Sequence, residues 1–127
     1  MLNGGEIDQV SGQIVNAAMR VHSTLGPGLL ESAYEACVAH ELRKRGLRVQ
    51  RQLEVPVIYD GLRLDVGYRV DLLVEDVVIV ELKTVEKLQP IHHAQMLTYL
   101  RLMDRRVGLL VNFHVPRLKD GIKRIIV

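Results

Sequence analysis

At 127 residues and a formal net charge of +2, with 48% hydrophobic and 25% charged residues, the chain has the size and balance of one globular domain. Cys37 is its single cysteine, which excludes an intramolecular disulfide and a four-cysteine zinc or iron–sulfur site. No secretory signal pattern is present, and no apolar run reaches the ~20 residues of a membrane-spanning helix. We therefore expect one domain over residues 1–127, cytoplasmic and without membrane association.

Two amphipathic helices are predicted in the first part of the chain. Apolar residues recur at helical spacing from about Glu6 until Gly26–Gly28, where two glycines and a proline end the helix. A second helix is predicted from about Leu29 to a basic last turn before Gly46. The expected core-facing residues are Val10, Ile14, Ala18, Val21 and Leu25 in the first helix, and Leu30, Ala33, Tyr34, Cys37, Val38 and Leu42 in the second.

The pattern then changes to the alternation of half-buried strands. A strand over Val49–Tyr59 is followed by an Asp-Gly hairpin turn and by strands over Leu62–Val74 and Val77–Lys83. Pro56 suggests a break or an edge position, and Gly67 suggests a bulge. These three strands are predicted to form a meander.

A third helix is predicted over Pro90–Met103, followed by a buried strand over Val107–Phe113 and a final strand over Ile122–Val127. The predicted order is two helices, three strands, a helix and two strands, or ααβββαββ. This order is typical of an α/β (α+β) fold with a mixed sheet between helices.

Asp71, Glu81 and Lys83 are the residues in this pattern that point to chemistry. Glu81 and Lys83 share one strand face, because side chains alternate along a strand. A three-residue loop, Glu75–Val77, would place Asp71 opposite Glu81 at about 5 Å. A two-residue loop would place it opposite Val80, with the two acids on different faces. A shared metal therefore requires an odd loop or a bulge, and otherwise Glu81 and Lys83 form a structural ion pair.

Two neighbouring, partly buried carboxylates would repel each other, and one of them would tend to bind a proton. A divalent cation removes this conflict, and Lys83 beside it could act on a water or on the charge of a phosphate. Glu31 is a third candidate acid, on the core-facing side of the second helix. Its alternative interpretation is favourable placement at the positive end of that helix.

His92, Gln95 and Tyr99 form one stripe on the third helix, which could line a cleft or simply face solvent. The histidines have no standard zinc-ligand spacing.

Three motifs in order resemble those of the PD-(D/E)xK nuclease superfamily. Asp71 followed by Glu81–Lys83 resembles its namesake motif, and Gly28–Tyr34 matches the GxxExxY signature of one family within it. Gln95–Tyr99 resembles the QxxxY element of the branch related to RecB-type nucleases. The resemblance runs from about Ile7 to the last residue, nearly the whole chain.

The resemblance implies a restriction-endonuclease-like core, with Glu31, Asp71 and Glu81 as ligands of Mg²⁺ (or Mn²⁺) and Lys83 as the catalytic lysine. Supporting or nucleic-acid-contacting roles are implied for Gln95, Tyr99 and Tyr34. The chain departs from the pattern at Val70, where the superfamily has proline, and at His93, where the family has an acid.

Phosphodiester hydrolysis in nucleic acid, DNA rather than RNA, is the leading hypothesis from the sequence. A homodimer or two encounters would be needed to cut both strands of a duplex. The alternatives are a non-catalytic nucleic-acid-binding or protein-interaction module on the same fold, and a structural ion-pair cluster in a protein of other function.

Overall fold

The computed structural model describes residues 2–127. In this part of the chain no helix is both long and apolar enough to cross a membrane. The helices are α1 (Gly4–Leu25), α2 (Glu31–Lys44) and α3 (Pro90–Leu102), with a 3-10 turn at Leu118–Gly121. The strands are β1 (Val49–Glu54), β2 (Val57–Tyr59), β3 (Leu62–Leu64), β4 (Arg69–Val74), β5 (Val78–Lys83), β6 (Val107–Asn112) and β7 (Ile122–Ile126).

A mixed five-stranded sheet in the order β1-β4-β5-β6-β7 forms the centre of the structure. Its β5 and β6 are parallel, and the other neighbours are antiparallel. The parallel pair needs a crossover connection, which α3 provides. Strand β6 is buried along its whole length, as expected for a strand covered on both faces. The predicted α/β (α+β) class with a mixed sheet between helices is confirmed.

The predicted three-strand meander is wrong in one respect, because its two long strands each break in two. Val55 N–H donates to the Tyr68 carbonyl at 2.8 Å beyond the end of the β1–β4 ladder. Pro56 then has no N–H to continue the pairing, and Gly67 adopts a left-handed φ of 75°. The outer halves therefore pair with each other as a separate two-stranded sheet, β2-β3, and the observed order is ααβββββαββ.

Two hydrophobic cores lie on the two faces of the sheet, one under α1 and α2 and one under α3. The predicted core positions of the first two helices are buried or partly buried, except for two that are exposed. Leu25 is 43% exposed and Leu30 is 77% exposed. Leu25 is the last residue of α1, and Leu30 precedes the first turn of α2, so neither has a helix turn to direct it into the core.

Candidate active site

The site forms where β4 and β5 separate. Their ladder pairs Val74 with Val78 and ends at Leu72 and Val80. The connection is the three-residue loop 75–77, so the next pair in this register is Asp71 opposite Glu81. The condition set by the sequence is met, and the two acids share one end of the hairpin. Beyond this point β4 continues along β1, whereas β5 continues along β6.

The two carboxylates take the place of the backbone ladder in the gap. Asp71 N–H donates to Glu81 Oε2 at 2.9 Å, and Leu82 N–H donates to Asp71 Oδ2 at 2.8 Å. Each acid is thus fixed by a backbone amide of the opposite strand. This exchange holds the carboxyl groups side by side, although they carry like charges when both are ionised.

Burial and repulsion raise the pKa of Glu81 from 4.5 to about 8. Burial is the larger cause, since the side chain is 6% exposed, and the charge of Asp71 is the second. The Asp71 amide and the charge of Lys83 act in the opposite direction. At neutral pH and without a cation, Glu81 therefore keeps a proton that an exposed glutamate would lose.

This raised pKa predicts how stability depends on pH. Folded Glu81 holds its proton up to about pH 8, while the unfolded chain releases it near 4.5. The metal-free protein should therefore lose stability as pH rises from about 4.5 to about 8 and level off above that. Thermal unfolding in EDTA across this range, compared with Glu81→Gln, isolates the contribution. If the two curves run parallel, Glu81 does not titrate as described.

Glu31 approaches the pair from α2. Burial and the charge of Asp71 raise its pKa, while Lys83 and hydrogen bonding with Thr84 lower it. Glu31, Asp71 and Lys83 are thus close enough to influence one another. However, no three His, Cys, Asp or Glu side chains within residues 2–127 form a ready metal-holding group. The structure brings Asp71 and Glu81 into direct contact and leaves Glu31 beside them.

The Asn112 side chain binds the backbone just after Lys83, and this role was not predicted from the sequence. Its Oδ1 accepts from Val85 N–H at 3.1 Å and its Nδ2 donates to the Val85 carbonyl at 2.8 Å. Phe113 N–H donates to the Lys83 carbonyl at 2.9 Å. Because Asn112 is 2% exposed, this clamp fixes the backbone that carries Lys83.

Helix α3 places Tyr99 near the carboxylates of Asp71 and Glu81, on the face of the sheet that α3 covers. Tyr99 is 6% exposed, and burial together with the charge of Glu81 raises the pKa of its hydroxyl. Its ring lies 6.4 Å from that of Tyr68. Gln95 is half-buried on the same helix, while the His92 ring accepts from Gln89 N–H and so caps the helix start. The predicted stripe therefore contributes Tyr99 to the site and His92 to the helix end.

Tyr34 is fully buried, so direct contact with nucleic acid, one of the roles considered for it, does not fit the structure. Its ring stacks on Phe113 at 4.2 Å. Its hydroxyl donates to the Gly26 carbonyl at 2.5 Å and accepts from Leu29 N–H at 3.1 Å. Tyr34 thus holds the loop between α1 and α2 that leads into Glu31.

Removing that hydroxyl should destabilise the protein. In Tyr34→Phe the Gly26 carbonyl and the Leu29 amide lose their partner, at a cost of about 1–3 kcal/mol. The matched control is Tyr59→Phe, because Tyr59 is 74% exposed and should tolerate the change. Chemical denaturation of both variants measures the difference; equal stabilities would show that the loop does not depend on Tyr34.

Glu35, Arg51 and Gln52 form a second polar group next to Asp71, which sequence reasoning missed. Glu35 is 6% exposed, and its Oε2 accepts from Arg51 Nε at 3.0 Å. Gln52 donates to Glu35 and, at 3.2 Å, to Asp71 Oδ1. One signal was available, since Glu35 lies one helical turn after Glu31 on the same side of α2.

The donor set fits a small, oxygen-binding cation. Mg²⁺ is usually held by one or two carboxylates and keeps several waters, so it does not need a three-residue cage. Asp71 and Glu81 supply two carboxylates. Burial and the repulsion between them raise the pKa of Glu81, and a bound cation would relieve that repulsion.

Comparisons with known proteins identify the family of the chain. The sequence matches the PD-(D/E)XK nuclease superfamily over residues 8–125. The chain belongs to that superfamily. A search of curated proteins finds no match to the sequence. A crystal structure of an alkaline exonuclease from Laribacter hongkongensis is similar, at 16% identity and a TM-score of 0.42, over 94% of this chain and 81% of that chain.

Proposed function

We propose that this member of the superfamily hydrolyses phosphodiester bonds in nucleic acid with a divalent cation, Mg²⁺ or Mn²⁺, held by Asp71 and Glu81. The observation that carries the proposal is the carboxylate pair in the gap between β4 and β5. Glu81 would need to release its proton to bind the cation, so activity should rise as pH increases toward about 8.

A bound cation would supply a Lewis acid for the phosphate and lower the pKa of a water. Asp71 and Glu81 would hold this cation in a fixed place, because each carboxylate is already anchored to a backbone amide. Lys83 follows Glu81 by two residues and would place its ammonium near the phosphate oxygens as negative charge develops. Water would add to phosphorus and release a proton, the phosphorus–oxygen bond to the leaving group would break, and the leaving oxygen would take up a proton.

The other predicted residues would support this arrangement. Glu31 lies where its charge acts on Asp71 and Lys83, so it would serve as a further ligand, directly or through water. Tyr99 and Gln95 would border the carboxylate pair from α3. We propose DNA as the nucleic acid, the cytoplasm as the location, and two copies or two encounters for cutting both strands of a duplex.

The test is a cleavage panel. Purified protein is incubated with single- and double-stranded DNA and RNA, in Mg²⁺, in Mn²⁺ and in EDTA, beside the Asp71→Asn, Glu81→Ala and Lys83→Ala variants. Cleavage that needs the metal and is lost in the variants supports the proposal. Cleavage that survives in the variants refutes the site, and binding without cleavage favours a non-catalytic nucleic-acid-binding module.

A further inference from the structure

Gln52 adopts a backbone conformation that its position in a strand does not explain. Its neighbours Arg51 and Leu53 pair regularly with Leu72 and Val70, yet Gln52 itself has a φ of 53°. Residues other than glycine, asparagine and aspartate rarely adopt this left-handed conformation, and such strain clusters at functional sites. The residue it would face across the ladder is Asp71.

The strained backbone aims the Gln52 side chain at two carboxylates. Its amide nitrogen has two hydrogens; the nitrogen donates to Asp71 Oδ1 at 3.2 Å and also to Glu35 Oε1. The backbone is held as well, since Arg69 Nη1 donates to the Gln52 carbonyl at 3.3 Å. The Gln52 amide thus bridges the buried acid of α2 and the acid of β4.

Glu35 is fixed in turn from the opposite side. Arg51 lies 3.0 Å from Glu35 Oε2 through both Nε and Nη2. The Arg51 charge compensates the buried carboxylate of Glu35, so Glu35 can accept from Gln52 without a metal of its own. The chain of contacts runs from Arg51 through Glu35 and Gln52 to Asp71, and ends at Leu82 N–H on Asp71 Oδ2.

We propose that Gln52, held by Glu35 and Arg51, is a positioning residue that orients the Asp71 carboxylate for the cation. This inference rests on the proposed function for its effect on metal. Side chains that hold metal ligands in orientation typically contribute 10–100-fold to metal affinity or activity. The strain at residue 52 is then the cost of placing an amide between the two acids.

Glycine at residue 52 separates positioning from folding. Gln52→Gly accommodates a φ of 53° without strain. This relief offsets stability that is lost with the hydrogen bonds to Glu35 and Asp71, so the variant should fold with a stability near that of the wild type. Without the bridging amide, the Mg²⁺ concentration for half-maximal cleavage should rise about 10-fold or more. Gln52→Asn keeps an amide and tolerates the left-handed backbone, but it is one methylene too short to bridge both acids, so it should follow the glycine variant.

Gln50→Gly is the matched control. Gln50 lies in regular pairing with Leu73 on the same strand and is exposed. Its replacement should lower stability and leave the Mg²⁺ requirement unchanged. If Gln52→Gly also leaves the Mg²⁺ requirement unchanged, or if it changes stability and activity in the same way as Gln50→Gly, the positioning role is refuted.

A metal-free measurement keeps this inference distinct from the proposed function. The Leu82 amide proton donates to Asp71 Oδ2, so its NMR shift in EDTA reports the orientation of that carboxylate. In Gln52→Gly the Leu82 amide signal should move upfield, toward a weaker hydrogen bond, while the Val80 amide signal stays in place. If the wild type neither binds metal nor cleaves but this shift occurs, the proposed function fails and the positioning of Asp71 stands. An unchanged Leu82 signal overturns the positioning.

Discussion

Replacing Glu81 with glutamine should abolish metal-dependent cleavage and at the same time stabilise the metal-free protein. The amide keeps an oxygen that can accept from Asp71 N–H, as Glu81 Oε2 does. It removes the buried charge that opposes Asp71. We expect cleavage to fall at least about 100-fold, since even changes around metal ligands cost 10–100-fold. Above about pH 8 the free energy of unfolding should exceed that of the wild type by up to about 5 kcal/mol, at about 1.4 kcal/mol for each unit of the pKa change from 4.5 to about 8.

The opposite signs of these two effects make the Glu81→Gln result informative. If Glu81 served only the fold, the Glu81→Gln protein would be less stable than the wild type, and its activity would fall for that reason. Cleavage rates and urea unfolding in EDTA measure the two effects on one preparation. Glu86→Gln is the control, because Glu86 is exposed on the following loop and should change neither. A less stable Glu81→Gln protein would contradict the charge conflict at the site.

Lys83→Met should lower the cleavage rate by about 100–1000-fold, the usual effect of removing one group that stabilises transition-state charge. Metal binding should persist, because Lys83 is a cation and not a ligand. Loss of its positive charge beside Glu31 and Glu81 should even strengthen the binding of Mg²⁺. The expected signature is a lower kcat with no increase in the Mg²⁺ concentration for half-maximal rate.

The control for Lys83 is Lys87→Met, an exposed lysine on the same connection to α3, which should cleave like the wild type. Wild-type kcat in Lys83→Met would exclude a catalytic role for this residue. A rate that falls only because more Mg²⁺ is required would instead assign Lys83 to the structure of the metal site.

The pairing of Asp71 with Glu81 was predictable because strand geometry leaves two alternatives. Side chains alternate, so the parity of the loop between β4 and β5 decides whether the acids meet. The helix ends were predictable for a similar reason, since the glycines and proline at 26–28 act locally. In both cases short-range chemistry determines the structure.

What could not be predicted depends on contacts between distant parts of the chain. Pro56 and Gly67 each signalled an irregularity, but only their meeting across the β1–β4 ribbon separates the β2–β3 hairpin. Glutamine has no preference for left-handed backbone, so nothing local marks Gln52. Its conformation follows from Glu35 and Asp71, which approach it from α2 and β4.

The central claim is that Asp71 and Glu81 together hold a divalent cation, and Mg²⁺-dependent stabilisation tests it most directly. A cation that binds only the folded protein raises Tm as its concentration increases. We predict that Mg²⁺ raises the Tm of the wild type at about pH 8, and that it leaves Asp71→Asn and Glu81→Gln unchanged. An equal Tm increase in all three proteins, or none in the wild type, would contradict the claim.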